Sequence, residues 1–261
     1  MRRRLTPDVR EKIWGTPHTE PWYRNPERRD IGEIWFPASD AVPLLVKLLF
    51  TSDKLSVQVH PDDEYARKHH GSRGKTEMWH ILRAEPDAKI ALGVREKLTR
   101  EQLREAAVTG AIMELLNWVP ARPGDTFFVP AGTIHAIGGG IALCEIQQHS
   151  DVTYRIYDYG RDRELHLEHA MAVSHLEPSE GMVKPEAAVD CDYFSSRRLA
   201  VRGSCRLSTA SRNTLYVALK GEGSFAGHPF AAGDAWEVEA GSPPFEIESR
   251  GAAFLMAAEP E

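Results

Sequence analysis

Glycine and proline punctuate this chain so often that few stretches are long enough for a helix. Over residues 123–160 (PGDTFFVPAGTIHAIGGGIALCEIQQHSDVTYRIYDYG), short apolar runs alternate with Gly/Pro turns. Residues 214–249 repeat the pattern, with strand-like runs about ten residues apart. Closely spaced strands and tight turns point to an antiparallel sandwich or barrel. Pro7, Pro17, Pro21, Pro26 and Pro37 exclude a long helix from the first forty residues. That stretch reads as irregular structure with short strands, wrapped over a core by Trp14, Trp22 and Trp35.

Residues 44–50 (LLVKLLF) and 55–60 (LSVQVH) read as strands, as do TEMWHIL and AKIALGV further on. In LSVQVH the apolar residues alternate with Ser56, Gln58 and His60. Period two therefore puts those three polar side chains on one face. Residues 99–118 break the β pattern: Thr99 with Gln102 spells a capping box, apolar positions recur at helical spacing, and Gly110 interrupts them. Two short helices are expected there, a further helix over 163–176, and a linker over 177–187. The fold expected is all-β: two jelly-roll-like barrels with a small helical insert at about residues 95–118. Residues 1–180 would form the first domain with its N-terminal extension, and 181–261 the second.

Composition narrows the function classes. Of 261 residues, 32 are Lys or Arg and 38 Asp or Glu, so the net charge of −6 gives no general reason to bind nucleic acid. The most apolar run, 41–50, is too short to span a bilayer and contains Lys47. The basic N-terminus has no apolar segment behind it to make a secretory signal. The cysteines, Cys144, Cys191 and Cys205, are too few for a disulfide framework. A cytoplasmic protein that binds neither nucleic acid nor membrane is expected; oligomeric state is not legible.

The most informative local pattern runs from Gly124 to His135. It matches the second cupin motif, G-x5-P-x-G-x2-H, in which two turns bracket a strand and the next strand aims a histidine into the barrel. A first cupin motif would supply two histidines and a glutamate. Here Gln58 and His60 share one strand and Glu77 follows. With His135 they form a Gln/His/Glu/His set suited to zinc, although a neutral glutamine is an unusual ligand and the set alone does not fix the metal. The second barrel repeats cupin-like turns (Lys220-Gly-Glu-Gly, Ala232-Gly-Asp) without such a set, and reads as metal-free. His69 and His70 read as solvent-facing. His166 and His169 could pair on a helix but have no third ligand nearby, and read as surface residues.

LSVQVHPDDEYA, GKTEMWHIL, PAGTIHAI and CEIQQHSDVTYRIYDYGR occur in order, and the chain thereby resembles the type I mannose-6-phosphate isomerases in their shorter bacterial form. The resemblance runs from about Ile31 to Arg161 and continues more weakly beyond. It implies one zinc per chain on Gln58, His60, Glu77 and His135, and a sugar-phosphate substrate. It also implies catalytic roles for Arg155, Lys75, Asp151 and Glu145, with Ser56, Lys75 and Arg155 contacting substrate. The reaction implied interconverts mannose 6-phosphate and fructose 6-phosphate through a cis-enediol. The base is left open among Asp151, Glu145 and a water on the metal. Two rivals stand beside this reading: an isomerase of a different or unphosphorylated sugar, and a non-catalytic sugar-binding cupin.

Overall fold

The computed structural model describes residues 1–178, 188–208 and 211–260. The chain is mostly strand. It divides into two compact units that do not follow chain order: Met1–Phe50, Leu143–Ile146 and Lys184–Glu261 form the first, Thr51–Ala142 and Gln147–Val183 the second.

In the first unit, β1 (Arg2–Arg4) pairs with β18 (Ala235–Val238), Arg2 facing Val238 and Arg4 facing Trp236. The strand order β1-β18-β15-β19-β14-β13 continues through Thr214–Lys220, Phe245–Ala258, Ser195–Leu207 and Val189–Asp190; β16 (Glu222–Phe225) and β17 (His228–Ala231) form a hairpin beside β19. Its core is aromatic. Phe225 stacks on Trp236 at 4.6 Å and meets Phe245 and Phe254. The N-terminal strands β2 (Asp8–Thr16), β3 (Ile31–Phe36) and β4 (Leu44–Phe50) pair in sequence. The chain's first residues are thus tied to its last hundred by backbone bonds, which a domain boundary drawn at residue 180 passes over. Of the expected 177–187 linker, residues 179–187 lie outside the described residues. Trp14 is buried; Trp22 donates its indole N–H to the Leu219 carbonyl; Trp35 lies between Arg10 and Lys47.

The second unit carries a five-stranded antiparallel sheet, β12-β5-β10-β7-β8: Tyr154–Tyr157, Val57–Val59, His135–Ile137, Lys89–Val94 and Leu116–Pro120. A second pair joins β6 (Glu77–Ala84) to β9 (Thr126–Val129). Three helices cover one face of the five-stranded sheet. They are α2 (Arg100–Thr109), α3 (Ile112–Leu115) and α4 (Leu167–Val173). Leu103, Ala106, Ala107, Ile112, Ala170 and Met171 bury against Val57, Val59, Ala136, Tyr154 and Ile156. The Thr99–Gln102 capping box forms, and Gly110 ends α2 at φ 83°. The helical reading over 99–118 runs too far: Leu116 opens β8, whose pairing with β7 (Leu116 to Val94, Val119 to Ile90) wins over local helical spacing. A fourth helix, α1 (Asp63–His70), is capped by the Asp62 side chain.

Because the helices take the face that carries Val57, Val59 and Tyr154, alternation leaves the other face to Gln58, His135 and Arg155. No helix is long and apolar enough to cross a membrane among the described residues.

Candidate metal centre

Strand register assembles the centre. His135 on β10 stands directly across from Gln58 on β5, and Arg155 on β12 stands across from Gln58 on its other side. Directly opposed residues project from the same face, so the three form one row. His60 follows the end of β5, and Glu77 is contributed by β6. The ligand atoms of His60, Glu77 and His135 lie within 4.8 Å of one another, and all three residues are buried. His60 Nε2 is 3.6 Å from Glu77 Oε2, and His135 Nε2 is 3.5 Å from Glu77 Oε1.

Each imidazole is aimed from behind. His60 Nδ1 lies 3.1 Å from the Val152 carbonyl and His135 Nδ1 2.8 Å from the Thr133 carbonyl. A carbonyl only accepts, so both rings carry the proton on Nδ1 and present a bare Nε2 lone pair to the centre. The edge of the His135 ring also packs on Trp79. The Gln58 amide spans Ser56 Oγ (3.4 Å) and His135 Nε2 (3.3 Å). A half-turn of the amide exchanges its nitrogen for its oxygen without changing shape, which brings an oxygen to the same place.

Lys75 is buried and lies between the ligands. Its Nζ is 2.9 Å from Glu77 Oε2 and 3.0 Å from His60 Nε2. The loop that delivers it is pinned: Lys75 N–H donates to the Pro61 carbonyl, and Gly74 N–H to Asp63 Oδ1. A Cβ on Gly74 would stand 2.4 Å from the Asp62 carbonyl carbon, so only glycine lets the loop lie this close to α1. Gln148 braces the next residue, accepting from Thr76 N–H while donating to Asp63.

The electrostatics set the protonation states a metal needs. Burial, then the neighbouring Lys75 charge, push His60 down to about 3. Burial likewise lowers His135. Burial alone would raise Glu77, but Lys75, His60 and His135 outweigh it and hold the carboxyl well below its usual range. Two neutral imidazoles and one carboxylate are the deprotonated donors that zinc takes. Both Glu77 oxygens are buried without a hydrogen bond. Lys75 Nζ meets Oε2 at 2.9 Å and leaves Oε1 without a cation; an ionised oxygen so placed costs several kcal/mol unless a cation meets it, by the order of magnitude for buried charges, and the donor set fits zinc.

The other expected residues fall as follows. Arg155 does not pair with Asp151. Its Nη1 donates to the Glu164 carbonyl at 2.6 Å, and its Nε is buried without a partner. Its backbone is clamped by His166, which accepts Arg155 N–H on Nδ1 and donates its own N–H to the Arg155 carbonyl. Asp151 is exposed and makes no hydrogen bond or ion pair with the described residues; the next residue is Val152, whose carbonyl holds His60. Glu145 belongs to the first unit, where its carboxylate is buried 3.1 Å from Lys47. Sequence reasoning missed the supports: Val152, Thr133, Gln148 and His166. All four act through backbone atoms or on a residue distant in sequence, and leave no residue-type signal.

Residues 27–99 match phosphomannose isomerase type I, catalytic domain. The chain is 39% identical over 231 residues to mannose-6-phosphate isomerase ManA of Bacillus subtilis, covering 80% of this chain and 73% of that protein. A crystal structure of the mannose 6-phosphate isomerase from Bacillus subtilis superposes with a TM-score of 0.85 at 27% identity, over 97% of this chain and 98% of the other. A zinc-bound mannose 6-phosphate isomerase superposes with a TM-score of 0.77 at 14% identity over the whole of both chains, a likeness of fold. On sequence profile, identity and coverage together, the chain belongs to the type I phosphomannose isomerase family.

Proposed function

We propose that the chain interconverts mannose 6-phosphate and fructose 6-phosphate, using one zinc ion held by Gln58, His60, Glu77 and His135. The observation that carries this reading is the row His135–Gln58–Arg155, which sets a fixed cation beside a buried His/Glu/His cluster. Bound there, zinc would supply Lewis-acid polarisation of the sugar's carbonyl and its neighbouring hydroxyl.

The protein's own residues handle charge and protons. Going from aldose to ketose, C2 loses a proton and C1 gains one, while a hydroxyl proton passes from O2 to O1; no redox partner is consumed. A cis-enediol lies between. Lys75 Nζ, already beside two ligands, donates to a sugar oxygen as negative charge builds on it. Arg155 keeps its charge throughout and holds anionic oxygen, either the phosphate or the enediolate. Ser56 orients a sugar hydroxyl next to Gln58. Of the two carboxylates, Asp151 is the better base: it is unpaired and one residue from the carbonyl that holds His60, whereas recruiting Glu145 would break its buried bond to Lys47.

The strands around this centre make a metal-binding jelly-roll barrel, and β13–β19 make a second barrel without a ligand set. The catalytic domain comprises the first 180 residues in chain order, with Arg2–Arg4 alone of the first fifty residues pairing into the C-terminal sheet. A sugar phosphate and free cysteines suit the cytoplasm.

The test is isomerisation of mannose 6-phosphate by the purified chain as isolated, after chelation and after zinc is restored, with free mannose in parallel. Zinc-dependent turnover of the phosphate ester alone is expected. Turnover of free mannose at the same rate, or of neither sugar with the metal site filled, overturns the proposal.

A further inference from the structure

Arg155 lies on a sheet edge. Among the described residues, β12 pairs with β5 on one side and with no strand on the other. An edge strand leaves N–H and C=O groups to solvent or to whatever covers them. At Arg155 both groups are taken by His166. Its main-chain N–H donates to the Arg155 carbonyl at 2.8 Å, and its ring Nδ1 accepts the Arg155 N–H at 3.2 Å. Two residues earlier, the Glu164 carbonyl accepts Arg155 Nη1 at 2.6 Å. The segment 164–166 thus holds Arg155 by main chain and side chain together.

His166 does this at the expense of its own helix. It is the N-cap of α4, a position where a side chain ordinarily accepts a hydrogen bond from the first turn. Its ring makes no such bond. Its carbonyl is committed to Ala170 N–H at 2.9 Å, so it has none to offer Arg155. A neighbouring strand would supply that carbonyl; here the ring nitrogen stands in for it. His166 is accordingly half-buried, and the expectation of a surface histidine fails at this position.

We propose that His166 is a positioning residue for Arg155, its neutral ring supplying the acceptor that fixes the strand edge where the guanidinium leaves it. This rests on the isomerase reading above and adds to it the residue through which Arg155 is aimed. An acceptor on Nδ1 puts the ring proton on Nε2, which faces the Glu164 carboxylate 3.9 Å away. Burial, then the Arg155 charge, lower His166 below the ordinary imidazole range against the opposing pull of Glu164, so the ring is neutral as its role requires. The residue type matters. An aspartate could accept the same N–H, but its charge would compete for the guanidinium that Arg155 offers to an anionic substrate. A neutral imidazole accepts without neutralising.

The experiment is a double-mutant cycle on the full, zinc-loaded chain with mannose 6-phosphate as substrate. A misplacement of about 1 Å costs on the order of a hundredfold in rate, so His166→Leu should lower kcat/KM at least about tenfold. In the Arg155→Ala background no guanidinium remains to be aimed, and the same change should cost less than about twofold. The main-chain bonds are present in both backgrounds, so the loss in melting temperature should be equal in the two. His166→Asn, whose amide oxygen reaches the place of Nδ1, should recover most of the activity; His166→Asp keeps an acceptor but adds charge, and should not. Metal analysis and circular dichroism on the same samples report whether each variant is folded and loaded. A folded, zinc-loaded His166→Leu with the parent's kcat/KM, an equal fold-loss in both backgrounds, or equal activity of the Asn and Asp variants would each overturn the proposal. Should His166→Leu not fold, the comparison of Asn with Asp decides it. A parent chain inactive on mannose 6-phosphate overturns the isomerase reading and this one with it, whereas the other failures leave that reading standing.

Discussion

Arg155 stands directly across from Gln58 in the antiparallel pair of β12 and β5, so its side chain leaves the sheet on the face that carries Gln58 and His135. Its guanidinium is steadied by one backbone carbonyl and no carboxylate. A cation held this way is available to an anionic substrate. Arg155→Ala is expected to lower kcat/KM by about 100- to 1,000-fold, the scale for losing one donor to developing charge, with zinc content unchanged. Arg155→Lys restores little, because an ammonium lacks the planar fork. Steady-state kinetics with metal analysis on the same samples check this; full activity in zinc-replete Arg155→Ala would remove the assigned role.

Glu77 is the single anionic side chain in the proposed ligand set Gln58, His60, Glu77 and His135, and apart from Lys75 at Oε2 no cation meets its oxygens among the described residues. Glu77→Gln keeps the shape and deletes the charge. Zinc affinity should fall by more than about 100-fold, beyond the 10- to 100-fold typical of losing an outer support. A competition titration against a chromophoric chelator measures it. Lys75→Met should differ in kind: zinc stays, since one repelling charge is gone, and turnover falls by about 100-fold or more, as for loss of a proton-handling group.

How much of this was legible beforehand depends on the range of the interaction. The alternation over residues 55–60 set Gln58 on the face opposite Val57 and Val59 because the strand period is local. The Thr99–Gln102 capping box was legible for the same reason. Burial was less so: Val57 and Val59 lie under α2 and α4, and Ser56 and His60 are buried as well, so polarity marked the face without marking exposure. Long-range pairings left no trace. Nothing in Arg2–Arg4 announces that it pairs with Ala235–Val238, and nothing near His169 announces His69 and His70. Backbone carbonyls such as those of Val152 and Thr133 have no residue-type signature at all.

The Arg2–Arg4 strand carries a pH-dependent anchor. Glu237 is buried; it accepts from Arg3 Nη2 at 2.6 Å and from the Ser39 backbone at 2.9 Å, and the Ser39 hydroxyl also reaches it. Burial would raise its carboxyl, but the Ser39 and Arg3 bonds outweigh that and lower it. A carboxyl lower in the folded than in the unfolded chain adds stability above the ordinary carboxylate range and loses it as pH falls through the folded value. Thermal melts should show the parent losing its margin over Glu237→Gln as pH drops from 7 towards 3. A constant difference between the two across that range would mean the charge contributes nothing.

Gly132 gives the sharpest backbone test, because it joins the motif's turn to His60, a proposed metal ligand. Its N–H donates to the His60 carbonyl and its own carbonyl accepts from His175 N–H, both at 2.8 Å. Its φ is +84°, and a Cβ there would lie 2.5 Å from His175 Nε2. A left-handed conformation alone costs an L-residue roughly 1–2 kcal/mol. The His175 ring must also move, and the bond to His60 is the contact that gives. Gly132→Ala should therefore lower the melting temperature and weaken zinc binding together. His175→Ala in the Gly132→Ala background, which removes the ring but not the φ strain, should recover part of the zinc affinity and leave most of the stability loss. Equal recovery of both would place the whole effect on the side-chain collision, and recovery of neither would place it on the backbone.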